Sequence, residues 1–283
     1  PDPDPDPDLD PDLIAAWGFG GSSDLVADTS GNGNDGVIAN GAVRSADGHF
    51  GEALETNGAA GHVDLGGVDV ASDELTLMAW VNADDFGTPD ARILSKSTGS
   101  AANDHVWMLS TITGQHSRFR LKTDDGNSTT TLIGSGNVLT AGTWHHIAAT
   151  YDGAAMRLYQ DGNLVGTTPR TGAVFQAPAV DAYIGANPGA GDLVFDGRID
   201  DVKIFQRALT YSEIASEMTI PAAPGGSPSG SGGACATSGG GVGFCISRGC
   251  SSARQLDPQS DAVPWLLVVL GCWVILRRRR TVL

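Results

Sequence analysis

Oxygen-bearing side chains gather at two places in this 283-residue chain. Residues 28–36 read Asp-Thr-Ser-Gly-Asn-Gly-Asn-Asp-Gly, placing carboxylate and amide oxygens on a loop that glycine lets turn tightly. Calcium takes about six to eight oxygen ligands in flexible geometry, so Asp28, Asn32 and Asn34 are candidate ligands. The same Asn-Gly steps would equally serve a plain turn between strands. Asp200 and Asp201 are the second place, because they interrupt Ile199, Val202, Ile204 and Phe205 in what should be a buried strand. A carboxylate buried there must be compensated. Three readings stay open: a cation, which makes Asp201 the fourth candidate ligand; an arginine such as Arg198 or Arg207, or backbone donors; or exposure at a bulge.

Other chemistries are poorly supplied. His145 and His146 are adjacent, so on a strand they face opposite sides and cannot share a metal, while His49, His62, His105 and His116 are isolated. All four cysteines (Cys235, Cys245, Cys250 and Cys272) follow residue 221, which excludes thiol catalysis from the region before it and leaves their pairing open. Neither a Gly-x-Ser-x-Gly elbow nor a phosphate-cradling loop occurs. Among the aromatics, Trp107 is the candidate for a ligand face by stacking, whereas Trp17, Trp80 and Trp144 are assigned to the core.

The elements that would carry these residues are strands. Glycine is abundant, at 39 residues, and runs such as Leu75-Thr-Leu-Met-Ala-Trp-Val81 and Thr143-Trp-His-His-Ile-Ala-Ala-Thr-Tyr151 are short and bounded by turn signals. In the first run Leu75, Leu77, Ala79 and Val81 share one face and Met78 and Trp80 the other, so both faces are apolar and the strand should be central. Asp161-Gly162 reads as a two-residue hairpin turn. A helix is expected only at residues 211–218, with Ser212 as its cap and Glu213 in the first turn. The expected fold class is all-β.

Four segments follow one another along the chain. Residues 1–12 alternate Pro and Asp and should form a stiff extended spacer. Residues 13–220 hold the sandwich, and 221–261 a Gly/Ser/Cys-containing linker. Residues 262–276 are apolar and lead directly into Arg277, Arg278, Arg279 and Arg280, the pattern of a membrane segment with a cytoplasmic basic stop. Because such a tail requires export, further sequence is expected upstream of Pro1. The formal net charge is −16, and between Leu13 and Pro221 there are 25 acidic against 11 basic side chains. That balance repels phosphate backbones, which argues against a nucleic-acid partner and favours hard cations.

Residues 13–218 resemble the laminin-G-like domains of the concanavalin A-like jelly-roll superfamily. The resemblance is carried by Ala16-Trp-Gly-Phe19 with the 28–36 loop, by residues 75–81, by Trp144-His-His-Ile-Ala-Ala-Thr-Tyr-Asp-Gly153, and by Phe195-Asp-Gly-Arg-Ile-Asp-Asp-Val-Lys-Ile-Phe205 with Arg207-Ala-Leu209. It implies two antiparallel sheets and a structural calcium ion that holds the N-terminal loop against the last strand. Gly20 and Gly21 stand where this family commonly carries an acid after its Trp-x-Phe motif. Glycoside hydrolases of the same superfamily carry two Glu separated by an Asp on one strand, and Glu52, Glu55, Glu74, Glu213 and Glu217 form no such pattern. The tail resembles bacterial C-terminal sorting signals, which implies a sorting protease and a chain that is inner-membrane anchored, or processed and moved to the surface or secreted. The expectation is therefore a surface module that binds carbohydrate or matrix protein and is not an enzyme, or else a structural spacer.

Overall fold

The computed structural model describes residues 10–222 apart from 127, 137, 190 and 191. Most of the Pro-Asp spacer, the linker, the cysteines, the membrane segment and Arg277, Arg278, Arg279 and Arg280 lie outside the described residues. Among the described residues no helix is long and apolar enough to cross a membrane.

Among the described residues sixteen strands form two antiparallel sheets, as the alternating short runs require. Sheet A contains β1 (Leu13–Trp17), β4 (Val43–Ser45), β5 (Ala53–Asn57), β7 (Leu75–Ala83), β12 (His145–Tyr151), β13 (Ala155–Gln160), β14 (Asn163–Pro169) and β16 (Asp196–Phe205). Sheet B contains β2 (Leu25–Val26), β3 (Gly36–Ala39), β6 (His62–Asp64), β8 (Arg92–Ser97), β9 (His105–Ile112), β10 (His116–Lys122), β11 (Thr129–Ile133) and β15 (Ala182–Ile184). The order in sheet A is β14-β13-β12-β7-β16-β5-β4, with β1 also paired to β16; in sheet B it is β11-β10-β9-β8-β15-β6-β3-β2.

The core lies between the sheets. Leu75, Leu77, Ala79 and Val81 of β7 point into it with Trp17, Trp107 and Phe119. The second apolar face of β7 has a different cause. Helix α1 (Tyr211–Glu217) lies over the outer face of sheet A and packs Ile214 with Met78, Ala148, Tyr159, Phe205 and Leu209. Its cap is Thr210 rather than Ser212: the Thr210 hydroxyl accepts from the Glu213 amide, and Glu213 accepts from the Thr210 amide at 2.7 Å. The reciprocal pair satisfies two otherwise orphaned amides, which Ser212, already inside the first turn, cannot do. At the β13–β14 hairpin both turn residues have positive φ, Asp161 at 50° and Gly162 at 74°, the type I′ geometry that matches strand twist.

Strand β16 is bulged. Its register against β7 shifts between Asp200 and Lys203, and Asp201 sits at φ 52°. Both carboxylates are buried. The compensating cation for Asp201 is Lys203, at 3.4 Å, and not Arg198 or Arg207. Arg198 instead lies 3.3 Å from Asp84, and Arg207 pairs with Asp10 and Glu213. Asp201 also accepts from the Ala222 amide, while Lys203 donates to Ile220 O at 2.5 Å and to Glu217 Oε2 at 2.9 Å. The chain after the helix is thereby drawn against β1, where a Cβ on Gly18 would stand 2.4 Å from Ala222 O.

Replacing Lys203 by Met leaves Asp201 buried without its cation and is expected to cost about 3–5 kcal/mol in denaturant unfolding. The double variant Lys203→Met/Asp201→Asn should recover a large part of that loss. Additive effects of the two changes would show that the pair is not coupled.

Candidate functional site

The outer face of sheet A carries a row of unlike residues across three strands. Trp80 on β7 is the register partner of His146 on β12 and of Asp200 on β16, so the three side chains stand side by side on the face away from the core. The loop between β4 and β5 folds over this row because Asp200 Oδ2 accepts from the Phe50 amide at 2.8 Å. His49 then stacks on Trp80, with ring centroids 3.6 Å apart and planes inclined by 16°. Trp144 meets His49 edge-on at 5.8 Å, and His146 meets Trp80 edge-on at 5.2 Å.

Beside this stack is a cavity of about 480 Å³ lined by His49, Phe50, Trp80, Asp161, Tyr211 and Met218 among others. The hairpin tip is fixed in its wall. Asp161 Oδ1 accepts from the His146 amide at 2.9 Å, and Asp161 Oδ2 lies 2.8 Å from His145 Nδ1. His145 Nε2 accepts from the Thr140 amide, which places the ring proton on Nδ1. Tyr211 also lines the cavity and is 61% exposed.

The titratable groups buried beside Trp80 are shifted toward their neutral forms. Burial, with His146 also close to Lys203 and His49, drives the His146 pKa down to about 3, and burial lowers that of His49. Burial, reinforced by Asp201 and opposed by the Phe50 amide, pushes the Asp200 carboxyl up to about 7. Trp80 Nε1 and His146 Nδ1 are buried without hydrogen-bond partners. The arrangement can therefore stack a flat, weakly polar ring, with Asp161 in the lining as its polar edge.

Trp80 and Trp144, assigned to the core from the sequence, belong to this outer site. Trp107 is the reverse case. It is 0% exposed inside the core and offers no face to a ligand, because its position on β9 alternates inward with Leu109. His49, Phe50 and Tyr211 were not singled out as site residues. The presence of both Met78 and Trp80 on the second face of β7 was the one sequence signal for the site.

Each candidate metal ligand is engaged by protein groups. Asp28 Oδ1 accepts from the amides of Ala16 at 3.0 Å and Ser30 at 2.9 Å, and its Oδ2 from Ser30 Oγ at 2.8 Å and the Asn34 amide at 3.0 Å. Asn32 Nδ2 and Asn34 Nδ2 donate to Ile14 O, so the loop is laced onto β1. Asp201 is held by Ala222 and Lys203 instead. Among the described residues no group of three or more His, Cys, Asp or Glu is arranged to hold a metal ion.

A family model, Laminin_G_3, of the concanavalin A-like lectin/glucanases superfamily, matches residues 57–215. The chain belongs to this superfamily. Over 162 residues, 53% of the chain, it is 30% identical to pappalysin-1 of Mus musculus and 28% identical to pappalysin-1 of Homo sapiens, and spans about 10% of the length of those relatives. Domain 4 of AbnA, a GH43 extracellular arabinanase from Geobacillus stearothermophilus solved in complex with arabinotriose, is similar at TM-score 0.53 and 23% identity, over 72% of this chain and 97% of that one. The binding domain of Paraclostridial Mosquitocidal Protein 1 is similar at TM-score 0.55 and 18% identity, over 73% and 51%. Trypanosoma rangeli sialidase, in complex with the inhibitor DANA, is similar at TM-score 0.51 and 18% identity, over 71% of this chain and 32% of that one.

If hydrogen bonds rather than calcium hold the 28–36 loop, the melting temperature should be the same with excess calcium and with excess chelator, while Asp28→Ala should lower stability by about 2–4 kcal/mol under both conditions. A chelator-dependent drop of several degrees in the parent protein would reinstate calcium at this loop.

Proposed function

We propose that this laminin-G-like domain is a glycan-binding module and that the cavity over Trp80 is its ligand site. The observation that carries this reading is the Trp80–His49 stack set beside an open cavity that the exposed Tyr211 also lines. Sugars present a C–H face that stacks on aromatic rings and a rim of hydroxyls that satisfy stranded donors and acceptors. Support comes also from domain 4 of AbnA, which shares the fold and was solved with arabinotriose.

Binding rather than hydrolysis is favoured by where the carboxylates are engaged. Glu213 caps the helix and pairs with Arg207, Glu217 pairs with Lys203, and Glu74 accepts from the Ala208 amide. Asp161, the carboxylate in the cavity wall, is committed to His145 and to the His146 amide. A glycosidase needs one carboxylic acid and one free carboxylate flanking the scissile bond, and no such pair faces the cavity among the described residues. In our reading the tail at 262–280 tethers this module to the inner membrane or delivers it to the cell surface through a sorting protease, so the domain displays its glycan site outside the cytoplasm.

A glycan array probed with the full chain is expected to give hits. Tyr211→Ala, on an exposed ring, should weaken them about 3- to 10-fold, the worth of one aromatic contact. His49→Ala, which removes the ring stacked on Trp80, should cost about 10-fold. An empty array would favour the spacer reading, and hits unchanged in both variants would place the ligand elsewhere.

A further inference from the structure

On the other sheet, three arginines stand together in a domain that is otherwise strongly acidic. Trp107, Leu109, Phe119 and Leu121 of β9 and β10 point into the core, so the residues that alternate with them face outward. Arg92 on β8 and Arg118 on β10 flank Ser110 of β9 in one register row, and Arg120 stands in the next, beside Met108. Arg92 and Arg118 are 0% and 2% exposed, and Arg120 is half-buried.

The cluster is short of acceptors. Within ion-pair distance of the three, among the described residues, there is one carboxylate: Asp90, 3.0 Å from Arg118 Nη1. Arg118 Nε donates to Ser110 Oγ at 3.0 Å, but Arg118 Nη2 is buried with no partner. Arg92 uses Asn187 Oδ1 at 3.2 Å and Asp90 O at 2.6 Å. Its remaining nitrogen, Nη2, lies 3.1 Å from His105 Nε2, while Arg120 Nη1 lies 3.3 Å from His105 Nδ1.

Burial, with Arg92 and Arg120 adding, lowers the His105 pKa to about 4, so the ring is neutral at pH 7. A neutral imidazole has one acceptor nitrogen and one N–H. Whichever nitrogen holds the proton, one of the two guanidinium groups that approach this ring has no acceptor there. Burial and the neighbouring Arg118 lower the Arg92 pKa to about 10, which still leaves it charged. Three cations thus face one carboxylate, and unpaired buried charge is costly.

We propose that the outer face of sheet B, at Arg118 and Arg120, is an oxyanion-binding site that takes a carboxylate or sulfate group carried by a ligand. The donor left on Arg118 is Nη2, which with the half-buried Arg120 guanidinium suits one oxyanion bridging the two, while Arg92 supplies further positive potential behind them and Thr131 Oγ1 orients Arg120 through Nε at 3.2 Å. Solvent reaches the cluster at the half-buried Arg120 and at Asp90, whose side chain is 37% exposed. Because this face belongs to the opposite sheet from the Trp80 cavity, the two sites stand or fall separately.

The test follows the arginine Nε–Hε signals of the full chain by NMR during titration with sodium sulfate and with sodium acetate, against sodium chloride at matched ionic strength. Saturable shifts at Arg118 and Arg120 with sulfate, acetate or both are expected, and none with chloride. Arg120→Gln should weaken the binding about 10- to 100-fold, and Arg118→Lys, which keeps the charge but loses the fork, about 10-fold. Trigalacturonate and a heparin tetrasaccharide then separate carboxylate-bearing from sulfate-bearing ligands, with maltotriose as the neutral control. Equal responses to sulfate, acetate and chloride, or binding of either anion unchanged in folded Arg120→Gln, would overturn the proposal. Tyr211→Ala should leave anion binding intact, which separates failure here from failure of the glycan site on sheet A.

Discussion

Asp200 and Asp201 are adjacent and both buried, and side chains of this kind stay folded only where their oxygens find donors. On a regular strand they would point to opposite faces, and the bulge at positive φ re-aims Asp201. Each carboxylate then organises a different part of the surface of sheet A. Asp201, with Lys203, draws the chain after α1 onto β1 and Gly18. Asp200 captures the Phe50 amide, and so sets His49 on Trp80 and forms one wall of the cavity. The aromatic site is thus a consequence of how a buried acid is satisfied.

This arrangement has a defined pH signature. The carboxyl of Asp200 moves from an ordinary value of 3.8 up to about 7 in the folded chain, so the folded state holds its proton more tightly than the unfolded state. By linkage, the Asp200 contribution to stability declines as pH rises from about 4 to about 7 and is constant outside that window. His146 acts in the opposite sense. Its pKa falls from 6.5 to about 3, so stability is lost as pH drops below the unfolded value. The two slopes oppose each other across mildly acidic pH, and a comparison of parent and Asp200→Asn isolates the first.

Local pattern carried much of the fold. The central place of β7 followed from its two apolar faces, and the β13–β14 hairpin from Asp161-Gly162, because both depend on spacing within a few residues. The site was much less legible. Trp80, His146 and Asp200 are neighbours only through the pairing of three strands far apart in sequence, and nothing local distinguishes an outward Trp80 beside a helix from a core tryptophan. Asp28 and Asp201 were grouped by resemblance as ligands of one ion, and each accepts from its own donors: the amides of Ala16, Ser30 and Asn34 for Asp28, and the Ala222 amide beside Lys203 for Asp201. The arginines of β8 and β10 passed unnoticed because their convergence needs the β8–β9–β10 register.

The most direct measurement is the titration of the Asp200 side-chain carboxyl by 13C NMR, followed together with the Phe50 amide, between about pH 4 and pH 9. A buried Asp200 that holds the β4–β5 loop predicts a midpoint near 7 shared by both signals, with the Trp80 indole signal moving in step. A midpoint near 3.8, or a Phe50 amide that does not respond, would contradict the claim that this carboxylate builds the site.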